Sequence, residues 1–495
     1  MNAFSRRGAC PALSAPMQTG DGLLVRLDPV AGGISPKSLI GLSESALRHG
    51  NGIMEVTARG SLQIRGLTAE SARLLAAEVD ALGIEVRTGV PVETAPLAGI
   101  DPEEIADPRP MAERIRAAIE EAELTARLGP KVSVVVDGGG QLTMDAVTAD
   151  VRLKAVRTGT SVQWSVSIAG DARSAKPLAT VDEDAARDIV VAALRMVAEK
   201  GREAHTRDLS ERQLASLAGW HSFAPPSVLP DISPTRGEIS RFNAGSLSAA
   251  NPHVSTPAIG GVVGGRSISP LVGEMSGGTE GGAVERPRSP IGLFDVDKGI
   301  ALGIALPFGS MPAQSLIELA TQASNLGATE IRLAPGRALL FLGLSIPSSL
   351  QTSAATLGFV TDPTDPRIRI AACPGTPACA SGRIATRAIA EMIAKQSPDL
   401  LDASLTLHVS GCAKGCAHPG TAALTLVGDE NGAGLVVDGT AKALPAAYRP
   451  GYDAARGVAG ILAAMRAQRH QGETVAACLA RLGAAGLAEL YRRNQ

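Results

Sequence analysis

Apolar and polar positions alternate in two stretches of the chain that look alike at a distance. Residues 53–67 form two short alternating runs around Gly60, and residues 330–344 do the same around Gly336. Period-two alternation interrupted by glycine predicts a β-hairpin in each. Helix-like stretches precede both, over 38–49 and 313–326, and apolar strands precede those, over 22–27 and 299–306. The order strand, helix, hairpin therefore occurs twice, which points to an internal duplication. A second echo follows each copy. Residues 131–138 can be laid over 404–411, glycine on glycine (Gly138 on Gly411), and both read as strands entering a turn. Only the later copy carries cysteines there, so one half is expected to bear metal chemistry and the other to supply substrate contacts.

Between the halves the pattern stops. Residues 225–290 are rich in Gly, Ser and Pro, with no sustained helical or strand period. Such a segment buries too little apolar surface to offset its ordering entropy, so it reads as a disordered insertion or linker. Pro270 to Met275 looks like an inserted repetitive element. Composition narrows the rest. A chain of 495 residues exceeds one ordinary domain, and its 45% hydrophobic and 19% charged content is that of a soluble globular protein. Aromatic content of 2% and a formal net charge of -2 argue against nucleic acid or an anionic membrane as partner. No secretory signal and no long apolar run are legible, so a cytoplasmic location is expected.

Six cysteines in so long a chain do not form a disulfide scaffold. Four of them pair by spacing: Cys373-x5-Cys379 and Cys412-x3-Cys416. Iron–sulfur clusters are held by four thiolates, and a short spacing lets one loop supply two. Pro374, Gly375 and Pro377 would shape a turn that frees backbone N–H groups to face cluster sulfides. A stripe of Ile384, Ala388, Ile389, Met392 and Ile393 predicts a following helix, with Cys379 near its positive N-terminus. The second pair is expected on a loop between buried strands. Structural zinc prefers spacings of two to four residues, which x5 fits poorly. A [4Fe-4S] cluster is the favoured reading and zinc the alternative. Cys10 and Cys478 read as ordinary packed thiols.

These cysteine spacings, together with Thr57-x-Arg59-x3-Gln63-x-Arg65-Gly66, resemble the sirohaem-dependent sulfite and nitrite reductases. The opening Arg7-Gly8-Ala9-Cys10-Pro11, the later Gly20-Asp21-Gly22, and the run from Ser410 to Pro419 resemble one branch, the precorrin-3B synthases of aerobic cobalamin (vitamin B12) biosynthesis. Lys414 stands where the reductases usually have Asn. The resemblance covers nearly the whole chain outside the insertion. It implies an α+β, internally duplicated sulfite/nitrite reductase-like architecture. Its parts would be a ferredoxin-like half-domain (1–90), a reductase-type domain without cysteines (91–224), the insertion (225–290), a second half-domain (291–350) and a [4Fe-4S]-binding domain (351–495). The implied activity is that of an oxidoreductase, an iron–sulfur monooxygenase acting on the tetrapyrrole precorrin-3A. Dioxygen and a donor such as NADH or a reductase protein would drive hydroxylation at the junction of rings A and D, with an acetate closing to a lactone. The resemblance also implies a mononuclear non-haem iron beside the cluster, and tetrapyrrole substrate in the pocket that holds sirohaem in the reductases.

Polycarboxylate recognition favours Arg, whose fork matches a carboxylate. Arg59, Gln63 and Arg65 match the family's tetrapyrrole-gripping motif. Lys131 matches the first lysine of the reductases' Lys-x-Lys, with Ser133 in the second place. Arg383 and Lys414 flank the cysteine loops. The plain alternative for each is a solvated surface charge. For the second iron, His408 and His418 bracket the last two cysteines, and imidazole is a common ligand; a structural histidine is an equal reading. No catalytic residue is assigned. Two other functions remain open: a sirohaem-dependent reductase, in which the thiolate at Cys416 would bridge cluster and haem, and a zinc-stabilised protein without redox chemistry.

Overall fold

Four five-stranded sheets organise the chain in the computed structural model, which describes residues 11–30, 32–219 and 288–493. The expected insertion lies outside the described residues apart from 288–290, and Cys10 lies outside them as well.

The first quarter comprises β1 (Met17–Thr19), β2 (Gly22–Leu27), β3 (Gly33–Ile34), α1 (Pro36–His49), β4 (Ile53–Val56), β5 (Leu62–Leu67) and α2 (Ala69–Ala81). Ser35 caps α1 by accepting from the Ser38 N–H, and Pro36 supplies the preset first-turn φ. The third quarter repeats the order: β11 (Gly292–Val296), β12 (Gly299–Ala305), β13 (Ser310–Pro312), α6 (Ala313–Asn325), β14 (Glu330–Ala334), β15 (Ala338–Leu342) and α7 (Pro347–Thr356). Between them come β6 (Val92–Thr94), α3 (Pro108–Glu121), β7 (Val134–Asp137), β8 (Ala149–Thr158), β9 (Ser161–Gly170), β10 (Lys176–Val181), α4 (Glu183–Lys200) and α5 (Glu211–Ala218). The last quarter matches that list element for element: β16 (Ile370–Ala372), α8 (Thr386–Gln396), β17 (Leu407–Ser410), β18 (Ala422–Asp429), β19 (Gly432–Gly439), β20 (Ala447–Arg449), α9 (Ala454–Gln468) and α10 (Val475–Arg492).

The duplication extends to register. In both reductase-type sheets two parallel pairings are followed by two antiparallel ones, in the orders β6-β7-β8-β9-β10 and β16-β17-β18-β19-β20. Val92 pairs with Val134 as Ile370 pairs with Leu407, so the alignment of 131–138 on 404–411 is reproduced strand for strand. The half-domains, however, exchange an edge. The short β3 joins the sheet of the second half by pairing with β14, and β13 joins that of the first by pairing with β4. A single apolar core follows, in which Leu39, Leu42 and Ile64 lie with Leu316, Leu319 and Phe341. The hairpin turns meet as well: the Gly336 N–H donates to the Ala58 carbonyl (3.0 Å). The two reductase-type domains keep separate cores. Among the described residues no helix is long and apolar enough to cross a membrane.

Candidate functional site

β17 is an interior strand, parallel to both neighbours and fully buried, so a continuous apolar run is expected of it. Its partner in the first copy, β7, reads Val-Val-Val-Asp, whereas β17 reads Leu-His-Val-Ser. His408 therefore replaces Val135 in a core strand. It is completely buried, and neither ring nitrogen has a hydrogen-bond partner among the described residues. Burial, then the neighbouring His418 and Arg337, hold its pKa down at about 4, so the ring is neutral at pH 7. The His418 ring stands edge-on 5.8 Å away and is engaged through Nε2 with the Thr421 carbonyl (3.1 Å).

The four paired cysteines come together on two loops. One follows β16 and the other follows β17, the adjacent strand. The Cys416 thiol is solvent-exposed on one side and crowded on the others. Burial and the nearby thiols of Cys373, Cys412 and Cys379 raise its pKa, against the opposing pull of Lys414. Glycine makes the approach possible. A Cβ on Gly411 would lie 3.2 Å from the Cα atoms of both Gly375 and Gly382 and 3.5 Å from Cys373 Sγ. The Gly411 N–H donates to that sulfur (3.2 Å). A Cβ on Gly20 would collide with Pro377 O and Ala380 N at 2.7 Å, so the N-terminal segment is pressed onto the first cysteine loop.

Three local expectations need correction. Cys379 does not head the following helix: α8 starts at Thr386, whose hydroxyl donates to the Cys373 carbonyl, so it is Cys373 that meets the helix start. Ile384 precedes α8, and its buried stripe is Ile389, Ala390, Ile393 and Ala394, leaving Ala388 and Met392 exposed. The first loop's N–H groups are also largely committed. Those of Thr376, Cys379, Gly382 and Arg383 donate to carbonyls of Ile384, Gly375, Cys379 and Gly411. The turn needs these bonds to hold its shape, and the amide aimed at sulfur comes from Gly411 on the other loop.

The expected carboxylate-gripping residues fall into two groups. Arg65 is 4% exposed and tied to its own chain: it donates to both Asp21 oxygens (3.0 and 2.9 Å), to Glu55 (3.5 Å) and to the Ala378 carbonyl in the first cysteine loop. Gln63 bridges Glu55 (3.0 Å) and Arg26 (3.0 and 2.7 Å). Glu55 also pairs with Arg387 at the start of α8. These groups fasten the first half-domain to the cysteine domain. Arg59 sits in the hairpin turn, forked onto Glu93 (3.1 and 2.5 Å) with further bonds to Thr148 O (2.6 Å) and Ser133 (3.2 Å). Lys131 and Arg383 are exposed, and Lys414 donates to Ser381 (2.9 Å) between the two cysteine loops. Asp21, Glu55, Glu93 and Arg387 are structural partners that the sequence reading passed over. The Gly20-Asp21-Gly22 motif was the one available signal among them.

Four thiols backed by glycine form a donor set suited to an iron–sulfur cluster. Among the described residues no group of three or more His, Cys, Asp or Glu side chains is drawn together closely enough to hold a metal ion. His408 with His418 amounts to two imidazoles at most.

Residues 15–82 match the family described as the nitrite/sulfite reductase ferredoxin-like half domain. A precorrin-3B synthase from Sinorhizobium sp is 38% identical over 494 residues, covering 99% of this chain and 96% of that protein. The NirA protein of Mycobacterium tuberculosis superposes with a TM-score of 0.67 at 18% identity, over 94% of this chain and 84% of its own. That likeness concerns the fold.

Proposed function

The chain belongs to the precorrin-3B synthase family, and from that premise we propose that it hydroxylates a polycarboxylate tetrapyrrole, precorrin-3A, with closure of an acetate to a lactone. The observation that carries the reading is the gathering of four thiols on two glycine-shaped loops with Lys414 between the last two. Cys373, Cys379, Cys412 and Cys416 would hold a [4Fe-4S] cluster, which when bound supplies one-electron transfer. Monooxygenation leaves one oxygen atom of dioxygen in the product and releases the other as water, consuming two electrons and two protons from an external donor.

The chain's own residues have separable tasks in this reading. Lys131, Arg383 and Lys414 offer exposed cations to substrate carboxylates, and Arg59 adds a guanidinium already oriented by Glu93. Arg65 and Gln63 act one step back, fixing the cysteine loop through Ala378 and the half-domain through Glu55. His408 and His418 are the imidazoles available to a second iron, and the neutral state of His408 suits ligation.

Anaerobic purification, followed by an absorption spectrum with iron and acid-labile sulfide assays, tests the assignment. A plain cluster spectrum with iron in excess of sulfide is expected. Sirohaem bands would move the protein to the reductases, and zinc without sulfide would remove it from redox chemistry.

A further inference from the structure

The two hairpin turns carry the same residue pair in opposite order, Arg59-Gly60 and Gly336-Arg337. Arg337 thus occupies the turn position that glycine fills in the other half, and it shares that glycine's left-handed backbone (φ 67° against 91°). A long side chain held there is a strained choice, and such strain concentrates at functional positions. Arg59 finds an acid, Glu93. Arg337 finds none: among the described residues the one hydrogen bond of its side chain is to the Ala417 carbonyl (3.2 Å), and no carboxylate lies within ion-pair distance. Burial and the nearby Arg387 weaken its hold on its proton, the signature of a cation lacking its counter-ion.

Arg337 also lines a cavity of about 280 Å³. The opposite wall is the loop after β7, which by the common register is the counterpart of the second cysteine loop, Thr143 standing where that loop has Cys416. Arg288, Arg367 and Arg369 line the same space, and no Asp or Glu does among the described residues. Those three are engaged, Arg367 with Asp365, Arg288 with Gln141 and the Phe294 ring, and Arg369 with a partner of its own. The remaining wall is mostly apolar, including Leu142, Phe308 and Ile368, with the hydroxyl residues Thr143 and Ser289 among them.

We infer that this cavity, the cysteine-free counterpart of the cluster site, binds an organic carboxylate, with Arg337 as the residue that receives it. The volume admits a small organic acid or one side chain of a macrocycle, so the carboxylate comes either from a free acid or from the tetrapyrrole. The second source rests on the function proposed above.

Arg337→Gly restores the residue of the other half and relieves the backbone, and Arg337→Asn tolerates the same conformation. Both are expected to fold with unchanged or higher melting temperature. Calorimetric titration of the full chain with succinate, and fluorescence titration with uroporphyrin, are the readouts. Loss of succinate affinity by about 10- to 100-fold in both variants, with uroporphyrin untouched, supports the site and assigns it to a free acid. An equal loss for uroporphyrin, with succinate competing against it, supports the site and assigns it to the tetrapyrrole. No change for either probe, absence of binding included, overturns the inference. Weakened uroporphyrin binding in Arg59→Ala alone would sink it and leave the proposed function standing. Succinate binding that depends on Arg337 in a chain that binds no tetrapyrrole would do the reverse.

Discussion

Replacing Arg65 by Met should loosen the cysteine loop from a distance. The guanidinium is nearly inaccessible and satisfies Asp21 bidentately, Glu55, and the Ala378 carbonyl. Removing one partner of a buried ion pair costs about 3–5 kcal/mol. The lower end applies here. Glu55 keeps Arg387 and Gln63, and Asp21 keeps Thr19 (2.8 Å) and Asn51 (3.0 Å). A loss of about 3 kcal/mol in urea unfolding follows, with faster release of iron to a chelator because Ala378 loses its tether. Arg65→Lys should recover less than half, since one ammonium cannot reproduce the fork. The pH dependence has a definite sign. Burial would raise the Asp21 carboxyl, but bonding to Arg65 and Thr19 prevails and holds it below its usual 3.8. Its contribution is therefore present above about pH 4 and disappears as pH falls through the lower folded value. The Met variant should lose that acid-side slope. An unchanged urea midpoint together with an unchanged rate of iron release would refute the clasp.

Three further outcomes follow from the geometry. Cys412→Ser should abolish the cluster absorbance while far-ultraviolet circular dichroism still reports a folded chain; retained absorbance would remove Cys412 from the ligand set. Gly411→Ala places a methyl 3.2 Å from two backbone Cα atoms that cannot swing away, so iron content per chain should fall, at a cost of about 1–3 kcal/mol in stability. Glu104 has its pKa raised to about 7, mainly by burial, and one of its carboxylate oxygens has no hydrogen-bond partner among the described residues. Its folded value exceeds the unfolded one, so its ionisation erodes stability as pH climbs from about 4.5 to 7. Glu104→Gln should consequently raise the melting temperature at pH 8 and leave it unchanged at pH 4; equal shifts at both would contradict the assignment.

Much of this fold was legible because its signals are local. The hairpins over 53–67 and 330–344, the strands over 22–27 and 299–306, and the glycine-aligned strands before Gly138 and Gly411 each carry their own period, and the structure reproduces them. The exchange of β3 and β13 was not legible. These strands span two and three residues, too short for a period, and they form only because the other half offers an edge. The start of α8 was misplaced because Ile384 continues an apolar stripe although its carbonyl is spent on Thr376 in the preceding turn. Spacing alone grouped the four cysteines. It could not separate Arg65, consumed by Asp21 and Glu55, from exposed Lys131, because that difference depends on residues remote in sequence. Nor did it single out Arg337, whose interest lies in an acid partner that is missing.

The central claim is oxygen insertion into a tetrapyrrole, and mass spectrometry of the product formed under isotopically labelled dioxygen tests it most directly. With the reconstituted chain, precorrin-3A and an electron donor, one labelled oxygen atom should appear in the product, and none when Cys412 is Ser. Product carrying oxygen from water, or unchanged tetrapyrrole alongside reduction of added sulfite or nitrite, would contradict the account.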